Sequence, residues 1–375
     1  MTAGAGQQQP PFQVTRFCRQ YLQLEPVLTF PDGELLREEA TQRFLYARLF
    51  APGALPYPPP PRYQLRVLKE MVARIERSIH DWDAHGISDD LVDVLSRLMS
   101  GPVPDETTAA RQKSYVTYYP SLLADPEAPL DLVKAITLLE SRALISAAGT
   151  TGLRTWEAAL HLGQYLCSRP GLVRGLRVLE LGAGTGYLSI LCAKLLGAQH
   201  VVASDGSDEV VDHLADNLFL NGLQRCDNLL LLDGGQGDGE GDGDREPRPT
   251  VQPMGLRWGH ALVGTEEAAW NGGRRVDVVL GADVTYDAAV IPALVATLDE
   301  LAALHPGVLI LIAATERNRA TFEAFLDACR GRRHSGEAFD VELVDFSVAP
   351  AEEQAGPFYS AASPIHICRL SRGHR

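Results

Sequence analysis

VLELGAGTG, residues 178–186, is the stretch from which the rest of the chain is best read. Its first half belongs to a short apolar run, Arg177–Leu181, of strand character, and its second half is a turn carrying Gly182, Gly184 and Gly186. A backbone without Cβ atoms turns tightly and lets a ligand come close, and a helix that follows aims its first N–H groups at the same point. A helical pattern does follow, over residues 188–196. The next apolar run, His200–Asp205, ends on an acid 19 residues beyond Gly186. A carboxylate so placed accepts the hydroxyls of a ribose.

Two nucleoside cofactors suit this geometry. Dinucleotide enzymes use GxGxxG, with pyrophosphate resting on the helix N-terminus. Here the form is GxGxG preceded by Glu180, and an anion beside pyrophosphate is costly. Glu180 suits instead the cationic amino and sulfonium end of S-adenosyl-L-methionine. The residues favour the methyl donor, with Glu180, Gly182, Gly184, Gly186 and Asp205 as candidate cofactor contacts.

Working outward, strands and helices alternate from about residue 150. A second helix is expected over 209–220, a buried strand over 276–282, and a further strand over 308–314. Helices over 291–304 and 320–329 flank that last strand, and two strand-like runs, 339–348 and 364–370, close the chain without a helix between them. This predicts an α/β fold: a seven-stranded Rossmann-like sheet, mostly parallel, ending in an antiparallel hairpin. The third strand of that sheet is either 229–232 or 251–256, and pattern alone does not choose. Residues 234–249, GGQGDGEGDGDREPRP, read as a flexible acidic insertion; the ligand pattern of a calcium loop is missing.

The front of the chain is different. A helical pattern over about 12–49 breaks at LPYPPPPR, because consecutive prolines cannot continue a helix. Leu65, Leu68, Val72, Ile75 and Ile79 then recur at helical spacing. Another helix starts after Ser88, a candidate N-cap, with Leu91, Leu95, Leu98 and Met99 on one stripe. The expected division is a helical module over 1–110, followed by a catalytic domain over 111–375 that opens with β-like stretches at 114–119 and 143–147.

Composition bounds the function. The chain has 375 residues, 45% of them apolar, and carries 34 basic against 48 acidic side chains, a net charge of −14. No run of Lys and Arg offsets that charge, which disfavours nucleic acid as a partner. The six cysteines, at 18, 167, 192, 226, 329 and 368, are scattered singly and form no metal-ligand spacing, so no metal is expected. The N-terminus has no apolar core of a signal peptide, and no apolar run is long enough to cross a bilayer. A soluble, cytoplasmic monomer is the expectation.

VDVVLGADVTYD, residues 276–287, supplies candidate chemistry. Asp283 and Tyr286 follow the carboxyl end of a strand, where α/β sheets place ligands. Asp283 can hold an ammonium by charge, and Tyr286 can offer its ring face or hydroxyl to the same group. A free lysine with a pKa of about 10.4 is less than about 0.1% neutral at pH 7, so such a site must align the amine and let its proton leave. Of the four tryptophans, Trp156 opens a helix and Trp258 precedes the 276–282 strand, where an indole can stack on adenine.

Together these stretches resemble the seven-β-strand protein-lysine methyltransferases, whose motif D/E-x-x-Y is here Asp283-Val284-Thr285-Tyr286. The resemblance implies that Gly182, Ala183, Gly184, Asp205, Trp258 and Ala282 line the cofactor site, with Trp156 near the methionine end. It also implies that Asp283 and Tyr286 face the substrate lysine. GTTGLRTWEAALHL, residues 149–162, and the helical extension with its proline break are similar to the elongation factor 2 lysine methyltransferases. That implies a protein partner, translation elongation factor 2. The helical module is expected to contribute to substrate docking, because its amphipathic helices add surface beside the site. The family often has Asp or Asn where Arg257 precedes Trp258. Two other classes remain open: a small-molecule methyltransferase with a closed pocket, and a non-catalytic cofactor-binding scaffold.

Overall fold

The computed structural model describes residues 10–101, 112–124, 132–141, 151–223, 250–260, 262, 274–331, 338–360 and 362–372. The expected insertion at 234–249, the alternative third strand at 229–232 and the β-like stretch at 143–147 lie outside them. The chain divides into two compact units, residues 1–143 with 353–358, and residues 144–352 with 359–375.

The first unit holds α1 (Phe12–Leu22), α2 (Gly33–Leu36), α3 (Glu39–Leu45), α4 (Pro61–Ser78), α5 (Asp89–Ser100), β1 (Lys113–Tyr118) and β2 (Ile136–Ser141). Pro61 starts α4, where its missing N–H costs nothing. The buried stripe of α4 is Tyr63, Val67, Leu68, Met71 and Ile75; Leu65 and Val72, expected on it, only flank it. On α5 the buried residues are Leu91 and Val94, while Met99 is exposed. Ser88 sits at the N-cap, but its side chain makes no cap bond; its backbone N–H donates to Gln42 Oε1 at 2.8 Å. β1 pairs antiparallel with β2, Lys113 opposite Ser141 and Tyr118 opposite Ile136. The first unit therefore runs past residue 110 and takes in both strands, because their ladder partners are each other.

The second unit contains α6 (Glu157–Ser168), β3 (Arg177–Leu181), α7 (Tyr187–Lys194), β4 (His200–Asp205), α8 (Asp208–Leu220), β5 (Thr250–Gly255), β6 (Val278–Ala282), α9 (Ile291–Leu304), β7 (Leu309–Thr315), α10 (Arg319–Arg330), β8 (Asp340–Val344) and β9 (Ile365–Ser371). Its seven strands lie in the order β5-β4-β3-β6-β7-β9-β8. The first five are parallel, and β9 runs antiparallel to both β7 and β8. This is the mostly parallel, Rossmann-like sheet with an antiparallel finish expected from the sequence. The 251–256 candidate is the strand that pairs with β4, His200 opposite Thr250 and Asp205 opposite Gly255.

The central strands are largely apolar because helices cover both faces. Leu179, Val279, Ile310 and Ile312 pack with Leu294, Leu298 and Leu301 of α9 and Phe325 of α10, all essentially excluded from solvent. Asn318 starts α10 by accepting from the N–H groups of Ala320 and Thr321, a genuine N-cap. Parallel register sets the carboxyl ends of β4, β3, β6 and β7 side by side, with Leu181 between Ser204 and Gly281, and Ala282 beside Ala313. That edge carries the site. Among the described residues no helix is long and apolar enough to cross a membrane.

Candidate active site

A cavity of about 720 Å³ opens at this strand edge, within the size range of sites for one nucleoside-sized ligand. Of the eleven residues singled out from sequence, ten line it: Trp156, Glu180, Gly182, Ala183, Gly184, Asp205, Trp258, Ala282, Asp283 and Tyr286. Gly186 does not line it.

The glycine turn is shaped by protein neighbours as much as by space for a ligand. Gly182 has φ +65°, and a Cβ there would lie 2.7 Å from Val284 Cγ1. Gly186 has φ +82°, and its Cβ would fall 2.7 Å from Leu214 Cδ2 of α8. Both positions need the left-handed region and the missing side chain together. Gly186 thus serves packing of the turn on α8. Thr185 adds two ties that the sequence pattern does not signal. Its hydroxyl meets that of Thr155 at 2.7 Å, and its carbonyl accepts from Asn217 Nδ2 at 2.8 Å.

Glu180, on β3, is buried, and its Oε2 accepts from the backbone N–H of Ser189 at 2.9 Å and from the Ser189 hydroxyl. Burial outweighs those bonds and pushes the carboxyl up to about 7, with Asp205 adding a smaller push. Asp205, at the end of β4, accepts from Gly184 N at 3.2 Å through Oδ2 and from Ser207 N at 3.0 Å through Oδ1. Burial raises its pKa too, against these bonds. An ionised carboxylate offers about four acceptor positions, so Asp205 can brace the glycine turn and still receive hydroxyl donors.

Trp258 lies against the glycine turn, its ring 3.4 Å from where a Cβ on Gly182 would stand. Its Nε1 is buried and has no hydrogen-bond partner among the described residues. Leaving such a donor unpaired costs about 1–3 kcal/mol, which a ligand acceptor at this point recovers. The orphaned indole N–H, the buried Glu180, the half-buried Asp205 and the cavity size fit S-adenosyl-L-methionine. Arg257 is exposed, 4.0 Å from Asp208, and also reaches the cavity wall.

On the far side, Trp156 immediately precedes α6 and donates Nε1–H to Thr151 O at 3.1 Å. The guanidinium groups of Arg154 and Arg317 lie 5.2 and 5.1 Å from its ring centroid. Asp283 follows β6 with φ +52°, a left-handed conformation that Asp tolerates better than most residues. Its Oδ1 accepts from Thr315 N at 2.9 Å, and its Oδ2 from the Thr315 hydroxyl at 3.1 Å and from Arg317 at 3.2 Å. Arg317 also reaches Glu157 at 3.0 Å. Neither Thr315 nor Arg317 stood out in the sequence. Their only signal was position, just past an apolar strand and just before a helix cap. Tyr286 is 62% exposed on the rim.

A doubly wound sheet with a glycine turn, acids on neighbouring strand ends and an open-rimmed cavity beside them is an arrangement that suits a nucleoside cofactor. Residues 143–230 and 243–331 match the family model described as lysine methyltransferase. The protein-lysine N-methyltransferase EFM3 of Chaetomium thermophilum is 59% identical over 360 residues, covering 96% of this chain and 98% of that protein. The protein-lysine N-methyltransferase EEF2KMT of Homo sapiens is 29% identical over 325 residues, covering 82% of this chain and 84% of that protein. EFM3 of Saccharomyces cerevisiae is 34% identical over 211 residues, covering 52% and 53%. The chain belongs to the lysine methyltransferase family.

Proposed function

We propose that this enzyme transfers a methyl group from S-adenosyl-L-methionine to a lysine side chain of translation elongation factor 2. The observation that carries a protein acceptor is the open rim. Asp283 stands in the cavity wall while Tyr286 is exposed beside it, so a lysine can enter from the surface of a large partner. A small-molecule enzyme encloses its acceptor instead. The choice of elongation factor 2 is supported by the likeness of residues 149–162 and of the N-terminal extension to enzymes acting on it. The same reading has the enzyme act as a monomer in the cytoplasm, where translation runs.

When bound, the cofactor supplies an electrophilic methyl group on a sulfonium. Every other task falls to the chain. Glu180 and Asp205 would hold the cofactor's amino and ribose ends, Trp258 would flank its base, and Gly182, Ala183, Gly184 and Ala282 would line the wall between them. Trp156 would lie near its methionine end. Asp283 seats the acceptor ammonium and Tyr286 guides the aliphatic stem past the rim, so that the nitrogen is aligned before it loses its proton. Asp283 is fixed by three donors, which leaves roughly one of its four acceptor positions for the substrate.

The test incubates the enzyme and its Asp283→Ala variant with radiolabelled S-adenosylmethionine and a cell extract, then maps the labelled protein by mass spectrometry. We expect a methylated lysine in elongation factor 2 from the wild type and a loss of at least roughly a hundredfold from the variant, the scale set by a misplaced acceptor. Label on a different protein removes the proposed substrate. Full label from the variant removes Asp283 from the site.

A further inference from the structure

Arg317 sits where two carboxylates from distant parts of the chain converge. One terminal nitrogen of its guanidinium lies 3.0 Å from Glu157 Oε2 and 3.2 Å from Asp283 Oδ2. Glu157 is 160 residues away in sequence, at the start of α6, and Asp283 is 34 residues away, just after β6. The guanidinium also packs on the Trp156 ring. Asp283 is nearly buried, with 6% of its side chain exposed, whereas Arg317 keeps 41%. Two carboxylates and one guanidinium leave the trio with one net negative charge.

That charge balance bears on the reaction. A lysine must arrive as an ammonium and react as an amine. Each carboxylate beside it favours the charged form and raises its pKa by about 1–3 units. Two unopposed carboxylates would bind the ammonium well and then hold its proton. One offset carboxylate still attracts the cation but releases the proton more readily.

We propose that Arg317 is a positioning residue that sets the protonation of the acceptor: bridged between Glu157 and Asp283, it leaves Asp283 able to seat the lysine ammonium while weakening the site's hold on the proton. The inference rests on the reading above, in which Asp283 faces the acceptor. The ammonium proton passes to solvent at the open rim. The amine lone pair then forms the N–C bond as the C–S bond breaks, with the electron pair staying on sulfur.

Other charged or titratable groups around the acceptor position come from each neighbouring element. In the cavity lining, Arg154 precedes α6, Tyr286 follows β6, and Glu180 and Asp205 lie on β3 and β4; Asp287 is next in the chain after Tyr286 and is not part of that lining. Glu316, next to Arg317, is engaged by His366 of β9 at 2.8 Å. Substituting Arg317 leaves all of these in place.

The experiment compares wild type, Arg317→Met and Arg317→Lys, with S-adenosylmethionine and, as acceptor, the protein that the wild-type enzyme labels in a cell extract. Two quantities are read: kcat and KM from about pH 6.5 to about pH 9.5, and acceptor binding near pH 7 with no methyl donor present. For Arg317→Met we expect the acceptor to bind more tightly and kcat at pH 7 to fall about tenfold. The ascending limb of the rate profile, set by loss of the ammonium proton, should move to higher pH by about one unit, so that kcat recovers in alkali. Arg317→Lys keeps the charge and should keep the wild-type profile. A fall in kcat that is equal at every pH, or a weaker acceptor without a shifted profile, overturns the proposal.

Should Arg317→Met fail to fold, Glu157→Gln carries the test in the opposite sense. Acceptor binding should weaken and the profile move to lower pH, and an unmoved profile overturns the proposal equally. Full transfer by Asp283→Ala would sink the underlying reading. An inactive Asp283→Ala beside a flat Arg317→Met profile would sink only the role of Arg317.

Discussion

Glu180 is half-protonated near neutrality in the folded enzyme, because burial lifts it from 4.5 to about 7. The unfolded chain ionises it near the lower value. The folded state therefore binds this proton more tightly, and the stability it adds is complete below about pH 4.5 and lost as pH rises through about 7. A cation placed beside Glu180 reverses the preference. S-adenosylmethionine binding should then expel a proton below pH 7, and its affinity should rise between about pH 6 and about pH 8. Calorimetric titration in two buffers of different ionisation heat measures that proton directly. Glu180→Gln should flatten the pH dependence and make the free protein more stable at about pH 8. A wild-type affinity that is flat across this range would remove Glu180 from contact with the cationic end. The charge logic of Glu180 was visible in sequence, since an acid before GxGxG suits a cation. Its hydrogen bonds to Ser189 were not, because they depend on how α7 folds back over β3.

At the scale of elements, α6 and α7 meet through a glycine that the sequence does not mark. A Cβ on Gly163 would stand 2.8 Å from Tyr187 Cε1 and 3.1 Å from Leu191 Cδ2. Tyr187 is fully buried and Leu191 equally so, and neither can yield. Gly163→Ala should destabilise the enzyme by about 1–3 kcal/mol through overpacking, even after the roughly 1 kcal/mol that alanine gains in helix propensity. Denaturant titration reads the net effect, and a more stable variant would show that the helices can separate freely. The same logic separates what was legible from what was not. Apolar runs that alternate with amphipathic helices announced β3, β4, β6 and β7, because a strand buried on both faces is largely apolar, and two closing strand-like runs with no helix between them announced β8 and β9. β2 escaped notice: ITLLES is short and half polar, and only its ladder with β1 makes it a strand. β5 could be settled only by its pairing with β4, a long-range fact that no local period carries. Arg317 escaped for a related reason, since its partners lie on two other elements.

For the molecule as a whole, the chain path matters more than the chain order. After β8 it gives residues 353–358 to the first unit and then returns to the second for β9. Side chains of the first unit grip the backbone of this strap. Arg16 and Arg19 donate to the carbonyls of Gln354 and Ala355 at 2.9 Å, and the Ser121 hydroxyl donates to that of Gly356 at 2.6 Å. Gln23 accepts from Phe358 N at 2.8 Å and donates to Phe358 O. These ties span up to 338 residues, so a division drawn from composition along the chain could not include them. We propose that the first unit, strap included, helps to seat the protein acceptor, as expected of the N-terminal helices. Gln23→Ala tests that proposal, because it orphans both polar groups of a buried peptide residue. It should lower the stability of the first unit by about 2 kcal/mol or more. Acceptor KM should rise, while S-adenosylmethionine affinity stays within about twofold, as for sites that do not share partners. Scanning calorimetry would show an earlier first transition, and cofactor titration would report on the second unit alone. If cofactor affinity fell in step with stability, the two units would be acting as one, and a separate docking role for the first would have no basis.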